Sequence, residues 1–231
     1  MQIGILGSGI VGRTLGAALV RQGHDVAIGS RTYDTPNGRH WGTGTHGAVR
    51  IESYADAIRG AEVVVNATPG LVSLSVVREL APEDLDGVVL LDVANTLDFS
   101  AGMPPSVSGT AGDSLAEQIQ RALPRARVVK ALNTMTAAVM VDPGLLEGHH
   151  TVFVSGDAAD AKALVTGLLT GFGWPAEDIL DLGALDTARA TEAVMPLWLR
   201  IWGALGTPVF NVAVVRSLPP TGASSTPRGR T

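Results

Sequence analysis

Short apolar runs alternate with amphipathic stretches along most of this chain. Residues 3–6 (Ile-Gly-Ile-Leu) read as a buried strand, and 11–20 as the helix that follows it. Residues 25–28 give a second strand and 49–51 a short third one. Ser53 then stands where an N-cap belongs, ahead of a helix over 55–59. The run 62–67 is a fourth strand, 71–80 a helix, 88–93 a fifth strand, 115–123 a helix and 127–132 a sixth strand. Apolar strands separated by helices predict a parallel, doubly wound sheet with right-handed crossovers.

After Thr136 the spacing changes. Residues 151–155 read as a strand, 158–169 as a helix, 179–182 as a strand and 187–205 as one long apolar helix. This divides the chain into a Rossmann-type domain over 1–135, a small C-terminal α/β extension over 136–216, and a Pro-, Ser- and Thr-rich disordered tail over 217–231. Two further segments have no periodicity. Residues 32–47 predict a mobile loop. Residues 98–113, with Pro104, Pro105 and three glycines, predict a loop placed to act as a lid.

The most informative motif is Gly7-Ser8-Gly9-Ile10-Val11-Gly12, which joins the first strand to the first helix. Gly-x-Gly-x-x-Gly at such a junction is a dinucleotide-binding turn. The first glycine makes the turn and the second admits a pyrophosphate. The third lets the helix pack on the strand, and the helix N-terminus then faces the phosphates. In NAD-binding chains a carboxylate ends the second strand and holds the ribose hydroxyls. Here Ser30 and Arg31 stand there instead. A guanidinium fork suits a phosphate, so the expected cofactor is NADP(H). Arg39, His40 and Arg50 are candidates for further positive charge nearby.

Ligands of open parallel sheets bind at the strands' carboxyl ends. That rule adds Thr68, Pro69, Ala94 and Asn95, then Asn133, Thr134, Met135 and Ala137, to the candidate site. These positions offer no obvious acid or base. The Tyr-x-x-x-Lys pair of short-chain reductases is absent, since Asn37 and Ile58 follow Tyr33 and Tyr54 at that spacing. Lys130 lies inside a strand, where it would either point into the sheet face or bridge to a carboxylate, and it reads as a structural partner ahead of a general acid. His24 reads as part of a turn. His46, His149 and His150 show no metal-ligand spacing, and no metal is expected. Asn133 is the one candidate for orienting a ring or a carbonyl. Hydride transfer between two ring cofactors suits such a site, because it needs proximity and orientation more than proton transfer.

Composition narrows the classes further. The 231 residues are 45% hydrophobic and 17% charged, with a net charge of −5 and no basic run of the kind nucleic-acid binding needs. The absence of cysteine excludes disulfides and thiolate chemistry. Residues 193–215 are apolar enough to ask whether they span a membrane. Arg200 near the centre, and Pro196, Gly203, Gly206 and Pro208 along the stretch, favour a buried helix instead. Trp198 and Trp202, four apart, read as core packing, a dimer contact or a pocket wall. With the first strand starting at once, no leader is expected, and the location expected is cytoplasmic.

Several segments together resemble the NADPH-dependent reductases of the deazaflavin coenzyme F420. They are residues 7–12, Gly29-Ser30-Arg31, Ala67-Thr68-Pro69, the run 128–134 (Val-Val-Lys-Ala-Leu-Asn-Thr), 152–156, and the last helix with Glu192 and Pro196. The resemblance implies direct hydride exchange between NADPH and the deazaflavin, usually in a homodimer. By position, Gly9, Ile10, Val11, Ser30, Arg31, Thr68, Pro69, Ala94 and Asn95 would hold NADP. Asn133, Thr134, Met135 and Ala137 would border the deazaflavin. The chain departs from the family at Ser8 in the turn and at Asn133, where a histidine is expected. Two other readings remain open: an NADPH-linked reductase of a flavin, imine or carbonyl, and a non-catalytic NADP-binding sensor.

Overall fold

The structure, a computed structural model, describes residues 1–34, 49–107 and 112–217. The loop expected over 32–47, most of the expected tail, the tip of the 98–113 loop, and Arg39, His40 and His46 fall largely or wholly outside the described residues.

Eight strands form one sheet: β1 (Gln2–Leu6), β2 (Asp25–Gly29), β3 (Arg50–Glu52), β4 (Val63–Asn66), β5 (Val89–Asp92), β8 (Arg127–Ala131), β9 (Val152–Gly156) and β10 (Ile179–Gly183). Their spatial order is β10-β9-β8-β5-β4-β1-β2-β3. The first six pair in parallel, as the sequence predicts. The last two depart from that. β9 runs antiparallel to β8, and β10 parallel to β9, so both extend the same sheet in the reverse direction. A separate two-stranded hairpin, β6 (Leu97–Asp98) with β7 (Ser106–Val107), hangs from the end of β5.

Alternation along the strands builds a core on each face. Ile3, Ile5, Val63, Val65, Val89, Leu91, Val129 and Ala131 face one side. There they meet α1 (Ile10–Arg21), α5 (Ala137–Val141) and α6 (Ala159–Gly171). Leu6, Val64, Leu90 and Val128 face the other. That side is covered by α2 (Tyr54–Ile58), α3 (Gly70–Glu79), α4 (Leu115–Ala122) and α7 (Ala188–Ala193). Burying each such side chain contributes about 1.5–3 kcal/mol, which is why the strands tolerate so few polar residues.

The long C-terminal helix expected over 187–205 is two helices, α7 and α8 (Met195–Leu205), meeting at Val194. Pro196 explains the break: it lacks an N–H, and its ring would clash with the carbonyl of Glu192 in a continuous helix. α8 packs on the hairpin through Met195, Trp198 and Leu199, joined by Phe210 from the segment after it, against Leu97 and Val107. Trp198 stacks on Phe210 at 5.2 Å and meets Trp202 edge-on at 5.5 Å, so Trp198 is a core residue of this third cluster. Among the described residues no helix is long and apolar enough to cross a membrane.

Candidate functional site

Strand order switches between β1 and β4: β2 and β3 lie on one side of β1, and β4 and β5 on the other, so the connecting helices leave for opposite faces. Gly7 lies at that point with φ +112°, and a side chain there would press on the Ala67 carbonyl. Its N–H donates to Gly29 O at 3.0 Å, tying the turn to the end of β2. A Cβ on Gly12 would sit 1.9 Å from the Gly7 carbonyl oxygen, so α1 approaches β1 only because that residue is glycine.

Gly9 differs. It is the N-cap of α1 in an extended conformation, and a Cβ built on it meets no atom within 4 Å. No side chain caps α1 and no acidic residue stands in its first turn. Ile10 is 80% exposed beside it. The start of α1 is thus left without a capping side chain beside open space at Gly9, the arrangement that accepts an anion. The residues present fit a pyrophosphate.

At the end of β2, Ser30 Oγ shares hydrogen bonds with Ser8 Oγ at 2.8 Å and Thr32 Oγ1 at 3.1 Å. Ser30 is buried, while Arg31 is exposed. Tyr54, from the first turn of α2, lies beside Arg31. Burial pushes the Tyr54 hydroxyl above its usual pKa, while the nearby guanidinium, within hydrogen-bond reach, pulls the other way. Arg50, a candidate for added charge, is held by Asp25 at 2.5 Å and Glu52 at 3.0 Å. Sequence reasoning missed Tyr54 as a companion of Arg31.

The opposite half of the rim is built from buried polar groups. Asp92 ends β5 in register with Lys130 of β8. Lys130 Nζ reaches Asp92 Oδ2 at 2.8 Å, Glu192 Oε1 at 2.9 Å and Ala94 O at 2.6 Å. Desolvation alone would lower the Lys130 pKa, but the two carboxylates outweigh it and hold the ammonium above its usual value. Of the two placements open to it, Lys130 bridges to carboxylates, two of them, and is a structural partner as expected. Asp92 Oδ1 accepts from Asn66 Nδ2 at 2.8 Å and from Ala94 N at 3.2 Å. Asn66 Oδ1 in turn accepts from the Thr68 hydroxyl at 2.7 Å. Glu192 also accepts the Leu115 N–H at 2.7 Å and the Ala116 N–H at 3.3 Å, capping α4.

Asn95 and Asn133 bind each other. Asn95 Nδ2 donates to Asn133 O at 2.7 Å, and Asn133 Nδ2 donates to Asn95 Oδ1 and to Thr191 O, each at 3.0 Å. Both amide protons of Asn133 are therefore committed, and its residue is 2% exposed. Leu132, just before it, has φ +64°, a left-handed conformation that costs a bulky residue about 1–2 kcal/mol. The candidate positions thus fall into two groups. Ser8, Gly9, Ile10, Val11, Arg31, Pro69 and Asn95 reach the surface of the rim to differing degrees. Ser30, Thr68, Ala94, Asn133, Thr134, Met135 and Ala137 are buried behind it. Segments 67–70, 94–96 and 133–137 contain no ionisable side chain.

The histidines lie elsewhere. His149 is exposed beside Asp178 at 3.2 Å, and buried His150 is wedged between Pro143 O and Asn211. No cluster of His, Asp or Glu among the described residues fits a metal ion.

Sheet order, glycine turn and anion-ready helix end define a dinucleotide-binding protein of the Rossmann class. The comparisons with known proteins narrow this. Residues 2–96 match the family described as NADP oxidoreductase, coenzyme F420-dependent. A solved chain from Arthrobacter sp. FB24, provisionally described as an F420-dependent NADP reductase, is 46% identical. It superposes with a TM-score of 0.84 over 94% of this chain and 100% of its own length. The F420-dependent NADP reductase of Methanocaldococcus jannaschii is 28% identical over 145 residues, which is 62% of each chain. The metalloreductase STEAP3 of Rattus norvegicus is 28% identical over 207 residues, 85% of this chain and 38% of its own. The chain thus spans 38% and 62% of the length of these two curated relatives. The chain belongs to the NADP oxidoreductase, coenzyme F420-dependent family, a family of NADP-linked oxidoreductases.

Proposed function

We propose that this protein transfers a hydride directly between NADP(H) and a deazaflavin of the coenzyme F420 type. One observation carries the reading. The rim segments 67–70, 94–96 and 133–137 bear no ionisable group, and the charges behind them, Asp92, Lys130 and Glu192, are buried and committed to one another. These segments offer no side chain as an acid or base, which suits an acceptor whose ring takes the hydride by proximity and orientation and takes its proton, at a ring nitrogen, from solvent.

The residues divide the task. The N–H groups at Gly9, Ile10 and Val11, in the turn from Gly7 through Ser8 to Gly12, would hold the pyrophosphate. Ser30 and Arg31 would hold the 2′-phosphate, since no carboxylate ends β2 to favour a free ribose. Thr68, Pro69, Ala94 and Asn95 would line the nicotinamide half. Asn133, Thr134, Met135 and Ala137 would border the second ring, with the buried members setting backbone shape. When bound, NADPH supplies the hydride from its nicotinamide ring.

The homodimer implied by the family resemblance belongs to the same proposal. Leu197 and Leu205 of α8 are 55% and 57% exposed, and Val214 and Val215 follow as exposed apolar residues. A second copy covering this surface gives a dimer in sedimentation velocity; a monomer at micromolar concentration would contradict it.

The test of the activity is NADPH oxidation by the purified protein with deazaflavin, FMN, FAD, an imine and a small ketone as separate acceptors. The reading expects turnover with the deazaflavin far above the rest. Turnover with a carbonyl or imine alone would replace it with the second reading. Tight NADPH binding without turnover on any acceptor would leave a sensor.

A further inference from the structure

We propose that Lys130 is a positioning residue for the nicotinamide half of the cofactor, acting through the Ala94–Asn95 segment. The proposal rests on the cofactor reading above. Lys130 Nζ has three protons and three acceptors, each on a different segment: Asp92 at the end of β5, Ala94 beyond it, and Glu192 in α7. No donor is left for a substrate, so Lys130 does not act as an acid.

Its effect is on backbone geometry. The Ala94 N–H is fixed by Asp92 Oδ1, and the Ala94 carbonyl by Lys130 Nζ, so the peptide units on both sides of Ala94 are held. Asn95 follows directly. Its carbonyl accepts from Gly70 N at the start of α3, and its side chain is locked to Asn133. One ammonium thereby sets how the ends of β4, β5 and β8 sit relative to each other, at the half of the rim assigned to the nicotinamide. Leu132, held in its left-handed conformation two residues after Lys130, belongs to the same fixed corner.

Stability alone is a weak reason for this arrangement. A buried ion pair is often no more stabilising than apolar residues of the same volume. What an apolar replacement would not supply is the grip on the Ala94 carbonyl. The Glu192 carboxylate adds a link to α4 and α7, so the rim is also tied to the C-terminal helices.

Lys130→Met alone would leave two buried carboxylates facing each other and risks unfolding. The test therefore uses two other variants. One is the neutral triad Lys130→Met, Asp92→Asn and Glu192→Gln. The other is Glu192→Gln alone, which keeps the acceptor for the α4 amides while loosening the ammonium. Each is titrated with NADPH and with 2′-phospho-ADP-ribose, the cofactor lacking nicotinamide, and the fluorescence lifetime of bound NADPH is recorded.

For the triad the proposal expects NADPH affinity to fall by about tenfold while affinity for 2′-phospho-ADP-ribose stays within about twofold. The lifetime distribution of bound NADPH should broaden. Glu192→Gln should shift the same way by less. A parallel loss for both ligands, or no loss for either, would overturn it and leave Lys130 a structural residue. Failure of the unaltered protein to bind either ligand would instead overturn the cofactor reading, and the proposal with it.

Discussion

Three glycines within six residues, Gly7, Gly9 and Gly12, have three different reasons to be glycine, and substitution separates them. Gly12 meets the Gly7 carbonyl, so Gly12→Ala should overpack the turn and cost about 3 kcal/mol in unfolding free energy, read by denaturant titration. Gly9 faces open space in a conformation any residue adopts. Gly9→Val should therefore cost only about 1 kcal/mol as a poorer helix cap, yet abolish the rise in melting temperature that NADPH gives the parent protein. Equal destabilisation by the two, or retained thermal protection in Gly9→Val, would remove the pyrophosphate role from the turn. At the other end of the cofactor, Arg31→Ala should weaken NADPH by about 10–100-fold and leave NADH nearly unchanged, since only a charged phosphate contact is lost. Equal losses measured for the two cofactors would contradict the 2′-phosphate assignment. The turn and Arg31 were legible in the sequence because their chemistry is local. The Asp92–Lys130–Glu192 group was only half legible. A lysine in an apolar strand signalled a buried partner, but which carboxylates it meets depends on strand register and on where α7 folds back.

Two helices begin where local chemistry says they should. Ser53 accepts the Asp56 N–H as an N-cap, and Ser114 with Glu117 forms a reciprocal capping box at α4. α7 and α8 show the limit of reading by hydropathy: the apolar stripe continues through Val194, and only the Pro196 ring breaks it. The α4 cap carries a prediction about pH. Arg189, hydrogen-bonded to the Glu117 carboxylate at 2.5 Å, together with the Ser114 donors, lowers that group from 4.5 to about 2 against the cost of its burial. A carboxyl depressed in the folded state stabilises the protein above its unfolded pKa, and that contribution fades as pH falls through the folded one. Arg189 is half-exposed, so solvent screening reduces the contribution to about 1 kcal/mol. Glu117→Gln should thus lower stability by about 1 kcal/mol at neutral pH. The deficit should shrink below pH 4.5 and vanish near pH 2. A deficit that is constant across this range, by urea titration at each pH, would mean the charge is not what stabilises the cap.

At the scale of the molecule, the sheet order follows from the alternation of strands and helices, and the switch between β1 and β4 puts the glycine turn where a dinucleotide binds. The reversal of β9 was not legible, because an apolar strand reads the same in either direction and only its partner decides. Its consequence is functional: β9 and β10 extend the sheet beyond β8, and α7 returns from there to bring Glu192 onto Lys130. The hairpin and α8 close the same end of the molecule, through Trp198 and Leu97. Rim segments 67–70, 94–96 and 133–137 without ionisable groups, backed by committed charges, are the reason for proposing direct hydride transfer from ring to ring, with the proton that the reduced ring nitrogen takes up coming from solvent. The most direct test follows the hydride itself. NADPH deuterated at the transferring position of its nicotinamide is mixed with the protein and the deazaflavin in ordinary water, and the reduced deazaflavin is examined by mass spectrometry. Direct transfer predicts one deuterium retained on each deazaflavin ring reduced. Deuterium lost to water, or no reduction at all while NADPH binds, would contradict the account.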